Sequence, residues 1–497
     1  MGRIKTLASD SFIYGISTIL GRFLSFLLTP LYTNFLSKSD VGDVNNLYVF
    51  IGIIVVFYSL GMESAYFRFF KKDDLKHNKA VFSNSFIFMV SVSLLITLIW
   101  IFFSPNLSGY FFTLDNATEL FILAAFIPVT DIITYVPYAY LRMTRHSKQF
   151  AITKLLIVII VFLLNILFVT YFKTGISGII WAQIIGNTIG VFLLFPVIFK
   201  NLLLKIDKQL IKEMLIFGLP TVPASISQLI LQVSDRIVVS EYCGREILGL
   251  YSVNYKLGIP MLLFVNLFEY AWKPFYLTHY QDSDSKQLFS RIFTYFTLCC
   301  AVVFLVSSLF MSDLVQLPSI GGRLINPKYY EGMNIIPIIL GAYYFSGVYN
   351  NFAVGIQISK KTKYFVYSLA TAGIINIAIN IALIPIYGYQ VAAWTTLLGY
   401  FISAILLYYF SHKVYPITYE WKRVLLLIVL TISIYVISIQ FISFDFSIVN
   451  VLIKLIAILI FLLALKLLKF FTPQEINQIK KILPIKNKSK EIQNGNN

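Results

Sequence analysis

Charged residues are scarce in this chain. Only 13% of its 497 residues are Asp, Glu, Lys or Arg, and 58% are hydrophobic, whereas soluble domains carry about a quarter charged residues. Apolar runs of 18 residues or more recur, and each is long enough to cross a bilayer core of roughly 30 Å. The composition therefore predicts an all-α, polytopic membrane protein, because an outer-membrane barrel would instead alternate over segments of about ten residues.

Signals for metal binding and for ATP hydrolysis are also missing. Cys243, Cys299 and Cys300 are the only cysteines and have no metal-ligand spacing, so we predict packing roles for them. No GxxxxGK[ST] loop occurs, and a glycan polymerase or ligase would need larger outer loops than the sequence offers. We therefore expect no metal, no cofactor and no enzymatic activity.

Fourteen apolar segments are predicted to span the membrane. With the N-terminus inside, only five of the 40 Lys and Arg residues fall in outer loops, and this bias places both termini in the cytoplasm. The net charge of +17 is then explained by topology, which argues against nucleic-acid binding. The predicted spans are 12–36, 42–68, 80–103, 117–140, 150–172, 176–199, 213–240, 247–272, 287–311, 334–357, 364–386, 388–411, 423–442 and 446–469.

Part of the sequence is written twice. The stretch from Arg142 to Trp181 resembles the stretch from Gln357 to Trp394, which pairs Arg145 with Lys360, Asn165 with Asn380 and Gly175 with Gly388. Spans 1–2 likewise resemble spans 7–8. The pairs there are Gly15 with Gly218, Gly42 with Gly249 and Glu63 with Glu269.

Six spans per copy is an even number, so both copies have the same orientation in the membrane. This predicts two six-helix lobes in a parallel pseudo-repeat with a cavity between them. The predicted divisions are an N-terminal lobe (1–205), a C-terminal lobe (206–412), two accessory spans (413–470) and a cytoplasmic tail (471–497).

Charges within the spans are the candidate functional residues, since they usually face a cavity or a partner. Arg22 lies near the middle of span 1 and either binds a substrate anion or pairs with a carboxylate such as Asp131. Arg236 and Lys256 either face the cavity or form interhelical pairs, with Asp235 as a plausible partner of Lys256.

Two carboxylates occupy matching positions in the repeat. Glu63 and Glu269 lie near the predicted inner ends of spans 2 and 8. Each either pairs locally, with Arg68 or Lys273 respectively, or forms part of a gate with matched carboxylates in the two lobes.

Three features are distinctive together: the Arg in span 1, the segment SDRIVVSEYCG…LGLYSVNYKLG (234–258) and the segment KKTKYF…NIALIPIYGYQVAAWTT (360–396). In these features the sequence resembles the polysaccharide flippases, the Wzx-type members of the multidrug/oligosaccharidyl-lipid/polysaccharide exporter superfamily. The resemblance implies a fold of 12 + 2 helices and alternating access between two lobes. The implied substrate is an undecaprenyl-pyrophosphate-linked oligosaccharide (an O-antigen or capsule repeat unit), flipped from the inner to the outer leaflet of the bacterial cytoplasmic membrane.

The resemblance also implies a cationic cavity and coupling to a proton or sodium gradient. Arg22, Arg236 and Lys256 are the cations expected to replace the water around a pyrophosphate. Asp131, Asp235, Glu63 and Glu269 are possible coupling carboxylates. Membrane lipids and the polysaccharide polymerase machinery are the expected partners. A multidrug antiporter and a lipid II flippase are the alternatives.

Overall fold

The computed structural model describes residues 2–71, 74–473 and 475, and this part of the chain is almost entirely helical. A two-residue antiparallel ribbon, β1 (Pro318–Ser319) and β2 (Gly322–Arg323), lies between α13 and α14. The α-helices in chain order are α1 Gly2–Phe35, α2 Lys38–Ser59, α3 Met62–Phe69, α4 Leu75–Leu107, α5 Ala117–Ala124, α6 Phe126–Met143, α7 Ser147–Asn165, α8 Ile176–Asn201, α9 Lys208–Gly218, α10 Val222–Cys243, α11 Arg245–Lys256, α12 Ile259–His279, α13 Ser285–Gln316, α14 Ile336–Ile358, α15 Lys363–Tyr387, α16 Gln390–Val414, α17 Trp421–Ser438 and α18 Ile448–Leu467.

All fourteen predicted spans fall on one of these helices or on a consecutive pair. Ten helices in the described part of the chain are long and apolar enough to cross a membrane, or up to twelve if each bent pair is one span. The bent pairs are α9 with α10, at 43°, and α11 with α12, at 48°. A multi-pass helical membrane protein is thus confirmed, while the fourteen-span layout and the cytoplasmic position of the termini stay predictions.

The predicted sequence repeat is visible in the backbone. Arg145 and Lys360, which the repeat pairs, both adopt a left-handed conformation, with φ of 59° and 56°. Gly175 and Gly388 also have positive φ, at 61° and 77°, and each lies in the turn just before the second helix of its pair. Few residues other than glycine adopt positive φ, so the agreement of Arg145 with Lys360 indicates one turn geometry used twice.

The chain divides into two compact units. The first comprises residues 1–295 and 314–419, and the second comprises residues 296–313 and 420–497. The predicted lobe boundaries therefore stay a prediction. Most of the predicted tail, from residue 476 on, lies outside the described residues, as does Lys72.

The second unit combines α17, α18 and part of α13 around an apolar cluster that includes Leu305, Leu427 and Phe461. Lys454 is fully buried there, and its Nζ lies 2.6 Å from Oδ2 of Asp313. Arg423 bonds both Glu420 and Glu475. The charge of Lys454 is therefore paired within the second unit.

Within the first unit, α2 and α11 pack closely at the end that we call the outer end, after the predicted orientation. A Cβ on Gly42 would clash with the Arg245 carbonyl oxygen, and a Cβ on Gly249 would clash with that of Lys38. The two glycines are repeat-equivalent, so the approach is symmetrical.

Polar bonds surround this outer contact. Arg245 Nε lies 3.4 Å from Oδ1 of buried Asp43, and Lys38 Nζ lies 2.6 Å from Oε1 of Glu331. Lys328 Nζ donates to the Leu36 carbonyl at 2.6 Å. Burial, followed by the charge of Lys38, lowers the pKa of Lys328. Salt bridges and a hydrogen bond therefore hold helices of the two predicted lobes together at the outer end.

Candidate functional site: a cation-lined cavity

A cavity of about 670 Å³ lies in the first unit, among α1, α10–α12 and α14–α16. Its wall runs along α10 from near Thr221 to Arg236, a length of about 22 Å at 1.5 Å per residue. Most lining residues come from α10 onward, and Arg22 is the contribution of α1. The cavity is therefore long and built chiefly by the second half of the chain.

Three cations and one carboxylate line the cavity: Arg22, Arg236, Lys273 and Glu269. Among the described residues, neither Arg22 nor Lys273 forms a salt bridge within 4.0 Å. Glu269 accepts a hydrogen bond from Asn350 Nδ2 at 2.8 Å. The lining thus has more positive than negative charge, as an anion site requires.

A second cavity, of about 320 Å³, adjoins the first between α1 and α12. The two share Arg22, Asn266, Glu269 and Lys273 as lining residues. A ligand in either cavity would therefore meet Arg22 and Lys273.

Arg236 lies at the outer end of the larger cavity. Its guanidinium stacks over the Tyr255 ring, with Cζ 4.6 Å from the ring centroid. Its Nε is buried and has no hydrogen-bond partner among the described residues. A guanidinium fixed by an aromatic face, with a buried N–H that has no partner among the described residues, is suited to binding phosphate oxygens.

Asp235 precedes Arg236 but points away from the cavity, as neighbours on a helix do. The Asp235 side chain is buried, and Oδ2 accepts hydrogen bonds from Tyr251 at 2.6 Å and from Thr396 at 3.3 Å. Oδ1 accepts from the Arg236 backbone N–H at 2.8 Å. The carboxylate is thus held by three donors from α10, α11 and α16.

A network of amides and hydroxyls connects α10, α15 and α16 next to this carboxylate. Ser234 Oγ donates to Asn376 Oδ1 at 2.7 Å, and Asn380 Nδ2 donates to the same oxygen at 3.0 Å. Thr395 in turn donates to Asn380 Oδ1. The network adjoins Asp235 in sequence, because Ser234 precedes Asp235 on α10 and Thr395 precedes its partner Thr396 on α16.

The structure disperses the other predicted residues. Lys256 is half-buried and is not among the residues that line either cavity, and its role as a substrate-binding cation stays a prediction. Glu63 pairs with Arg142 on α6, at 3.3 Å, so the expected local pair with Arg68 is wrong. Asp131 lies near Lys154 and Tyr135, and no salt bridge joins it to Arg22 among the described residues.

Three cavity residues were not identified from the sequence as cavity residues. Lys273 was interpreted only as a local partner of Glu269, yet it lines both cavities. Asn266 and Asn350 were not singled out, although Asn350 bonds Glu269. The signal was available, because Asn266, Glu269 and Lys273 recur at helical spacing along one face of α12.

The helix arrangement and the cavity define a multi-pass helical membrane protein with a cation-lined interior. Several solved structures share the fold, and two of them illustrate the likeness. The first is the lipid II flippase MurJ in an inward closed conformation, at a TM-score of 0.72 and 17% identity, covering 90% of this chain and 97% of that one. The second is an inward-facing multidrug resistance MATE transporter, at 0.64 and 13%, covering 81% and 97%.

The sequence comparisons identify the family. The profile of the polysaccharide biosynthesis proteins matches residues 7–276, more than half of the chain, and the chain belongs to this family. An uncharacterized membrane protein of Methanocaldococcus jannaschii is 23% identical over 454 residues, which cover 84% of this chain and 86% of the relative.

Proposed function

We propose that this protein flips a lipid-linked oligosaccharide, carried on undecaprenyl pyrophosphate, from the inner to the outer leaflet of a bacterial cytoplasmic membrane. The observation that carries the proposal is the cavity lined by Arg22, Arg236 and Lys273 against one carboxylate, Glu269. A pyrophosphate cannot enter lipid unless other groups replace its water. Arginine and lysine supply charge-assisted hydrogen bonds for that purpose.

The lining of the cavity also supports the proposal that the substrate carries a glycan. Beside the cations, its wall carries amide side chains at Gln228, Gln232, Asn266, Asn350 and Gln357. Amides donate and accept hydrogen bonds, as sugar hydroxyls require. A lipophilic drug cation would find less favourable chemistry here, so the multidrug antiporter is the weaker candidate.

Coupling to a proton or sodium gradient is the second part of the proposal, with Asp235 as the coupling carboxylate. Its support is burial together with the hydroxyls of Tyr251 and Thr396 that bond it, and the network of Asn376, Asn380 and Thr395 that begins at the adjacent residues Ser234 and Thr395. Hard cations such as sodium prefer oxygen ligands, and these residue types fit that requirement. Glu63 instead pairs with Arg142, and Asp131 lies near Lys154, so each faces a cation of the protein itself.

A reconstituted flipping assay tests the proposal. Purified full-length protein in vesicles would be supplied with an undecaprenyl-pyrophosphate-linked repeat unit, lipid II or a lipid-linked monophosphate. We expect movement of the first substrate, accelerated by an imposed proton or sodium gradient, and little movement of the monophosphate. Transport of lipid II alone would indicate a lipid II flippase instead. Transport of none of the three substrates would contradict the flippase assignment.

A further inference from the structure

We infer that two tyrosines of α11, Tyr251 and Tyr255, link the state of Asp235 to the anion site at Arg236, so that engagement of Asp235 by the coupling ion loosens the hold on the substrate. The inference rests on the proposed function and adds how the site is regulated. Both tyrosines act as positioning residues.

The link is continuous in space. Tyr251 donates its hydroxyl proton to Asp235 Oδ2 at 2.6 Å. The Tyr251 and Tyr255 rings lie 5.7 Å apart between centroids at an interplanar angle of 60°, as residues one helical turn apart permit. Tyr255 is the ring on which the Arg236 guanidinium stacks at 4.6 Å.

The two ends of the link face different surroundings. Arg236 and Tyr255 line the cavity, whereas Asp235 and Tyr251 are buried and are absent from its lining. An ion at Asp235 and an anion in the cavity would therefore not touch each other. They would communicate through the protein between them.

The helix that carries both tyrosines is short and ends in a bend. α11 has 12 residues and turns by 48° into α12 across Leu257 and Gly258. The same helix contributes Gly249 and Arg245 to the outer contact with α2. A displacement of α11 would thus change both the packing of Tyr255 against Arg236 and the outer contact with α2.

The direction of the effect follows from pre-organisation. With Asp235 free and ionised, its bond fixes Tyr251, and the fixed ring packing keeps Tyr255 under the guanidinium in an anion-binding position. A cation at Asp235 competes for Oδ2 and weakens the bond from Tyr251. Ion binding then disfavours substrate binding, which is the negative linkage that an exchanger of ion for substrate needs.

Direct electrostatics predicts the opposite sign. Neutralising Asp235 removes a negative charge next to Arg236, which by itself would tighten the binding of an anion. The sign of a measured change in affinity therefore separates transmission through the tyrosines from a simple charge effect.

The test measures the dissociation constant of geranyl pyrophosphate by calorimetry on the purified full-length protein at fixed pH and salt. We expect Tyr251→Phe and Asp235→Asn each to weaken binding about five-fold, at the lower end of usual coupling strengths. Tyr389→Phe is the matched control, because its ring lies 6.4 Å from that of Tyr251 while its hydroxyl bonds the Glu331 carbonyl. It should change the constant by less than about two-fold.

A double-mutant cycle then tests the route. In a Tyr255→Leu background, Tyr251→Phe should change affinity by less than about two-fold, since the link is already cut. In a Tyr255→Phe background, which keeps the aromatic ring, Tyr251→Phe should again weaken the binding of geranyl pyrophosphate about five-fold. Correct elution of each variant as a folded monodisperse protein is verified beforehand.

Two results overturn the inference: tighter binding in Asp235→Asn, or an undiminished effect of Tyr251→Phe in the Tyr255→Leu background. Failure of the unaltered protein to bind geranyl pyrophosphate would be a different result, because it contradicts the proposed function itself.

Discussion

The two copies of the repeat place different chemistry at equivalent positions. The register that pairs Gly15 with Gly218 also pairs Tyr32 with Asp235, and the neighbouring repeat pairs Asn165 with Asn380. In the first copy, the neutral hydroxyl of Tyr32 donates a buried hydrogen bond to Asn165 Oδ1 at 2.7 Å. In the second copy, the same place carries a buried carboxylate that accepts from the hydroxyls of Tyr251 and Thr396.

The difference teaches which parts of a duplicated fold are kept and which diverge. Turn geometry and close glycine contacts are preserved in both copies, as at Arg145 with Lys360 and at Gly42 with Gly249. The charged groups are not preserved, and the cavity is lined mostly by the second copy. The scaffold needs both halves, while the candidate ion and anion sites lie mainly in one.

The largest effect is expected at the pair Arg22 and Ser225, which are repeat-equivalent and both line the cavity. Arg22→Ala should abolish export, because loss of one charge partner of a pyrophosphate costs about 2 kcal/mol or more, roughly 30-fold in affinity. Ser225→Ala should change transport little, since the Ser225 hydroxyl already donates to the Thr221 carbonyl of its own helix. Flipping by each purified variant in vesicles is the measurement. Full export by Arg22→Ala would refute the central-cation interpretation.

The second comparison concerns Asp235 and Tyr32. Asp235→Asn should remove the acceleration of transport by an ion gradient while leaving a slow exchange without one. Tyr32→Phe should leave the acceleration intact and instead lower stability by about 1–3 kcal/mol, because Asn165 Oδ1 loses its donor from Tyr32. Transport with and without gradients, together with thermal unfolding, separates the two. Equal loss of gradient response in both variants would show that both copies take part in coupling.

Scaffold positions should respond alike in the two copies. Gly42→Ala and Gly249→Ala each insert a Cβ against a facing carbonyl oxygen, and overpacking of this kind costs about 1–3 kcal/mol. We expect both to widen the outer contact, measured as the distance between spin labels on Ser39→Cys and Glu246→Cys. Gly109→Ala is the control, since nothing lies within 4 Å of its added Cβ. Widening by only one of the two would break the symmetry that the repeat implies.

The sequence was sufficient to predict the helical membrane class, the repeat and two of the cations that line the cavity. Hydropathy and repeated letters are local signals, and Arg22 and Arg236 are conspicuous in apolar spans. The partners were harder to predict, because they depend on how distant helices meet. Glu63 pairs with Arg142, 79 positions away, and Lys454 with Asp313, 141 positions away. The polar neighbours of Asp235 come from three helices. No residue spacing in the sequence predicts that these three helices meet at Asp235.

The smallest expected effect lies at the two left-handed turns. Arg145→Gly and Lys360→Gly relieve a conformation that costs a residue with a Cβ about 1–2 kcal/mol. Part of this gain is offset, since glycine loses more freedom on folding. Each variant should therefore be more stable by less than about 1 kcal/mol, and the two shifts in melting temperature should agree. Destabilisation in one variant alone would mean that its side chain makes a stabilising contact that its repeat partner does not, and the two turns would then be alike in backbone only.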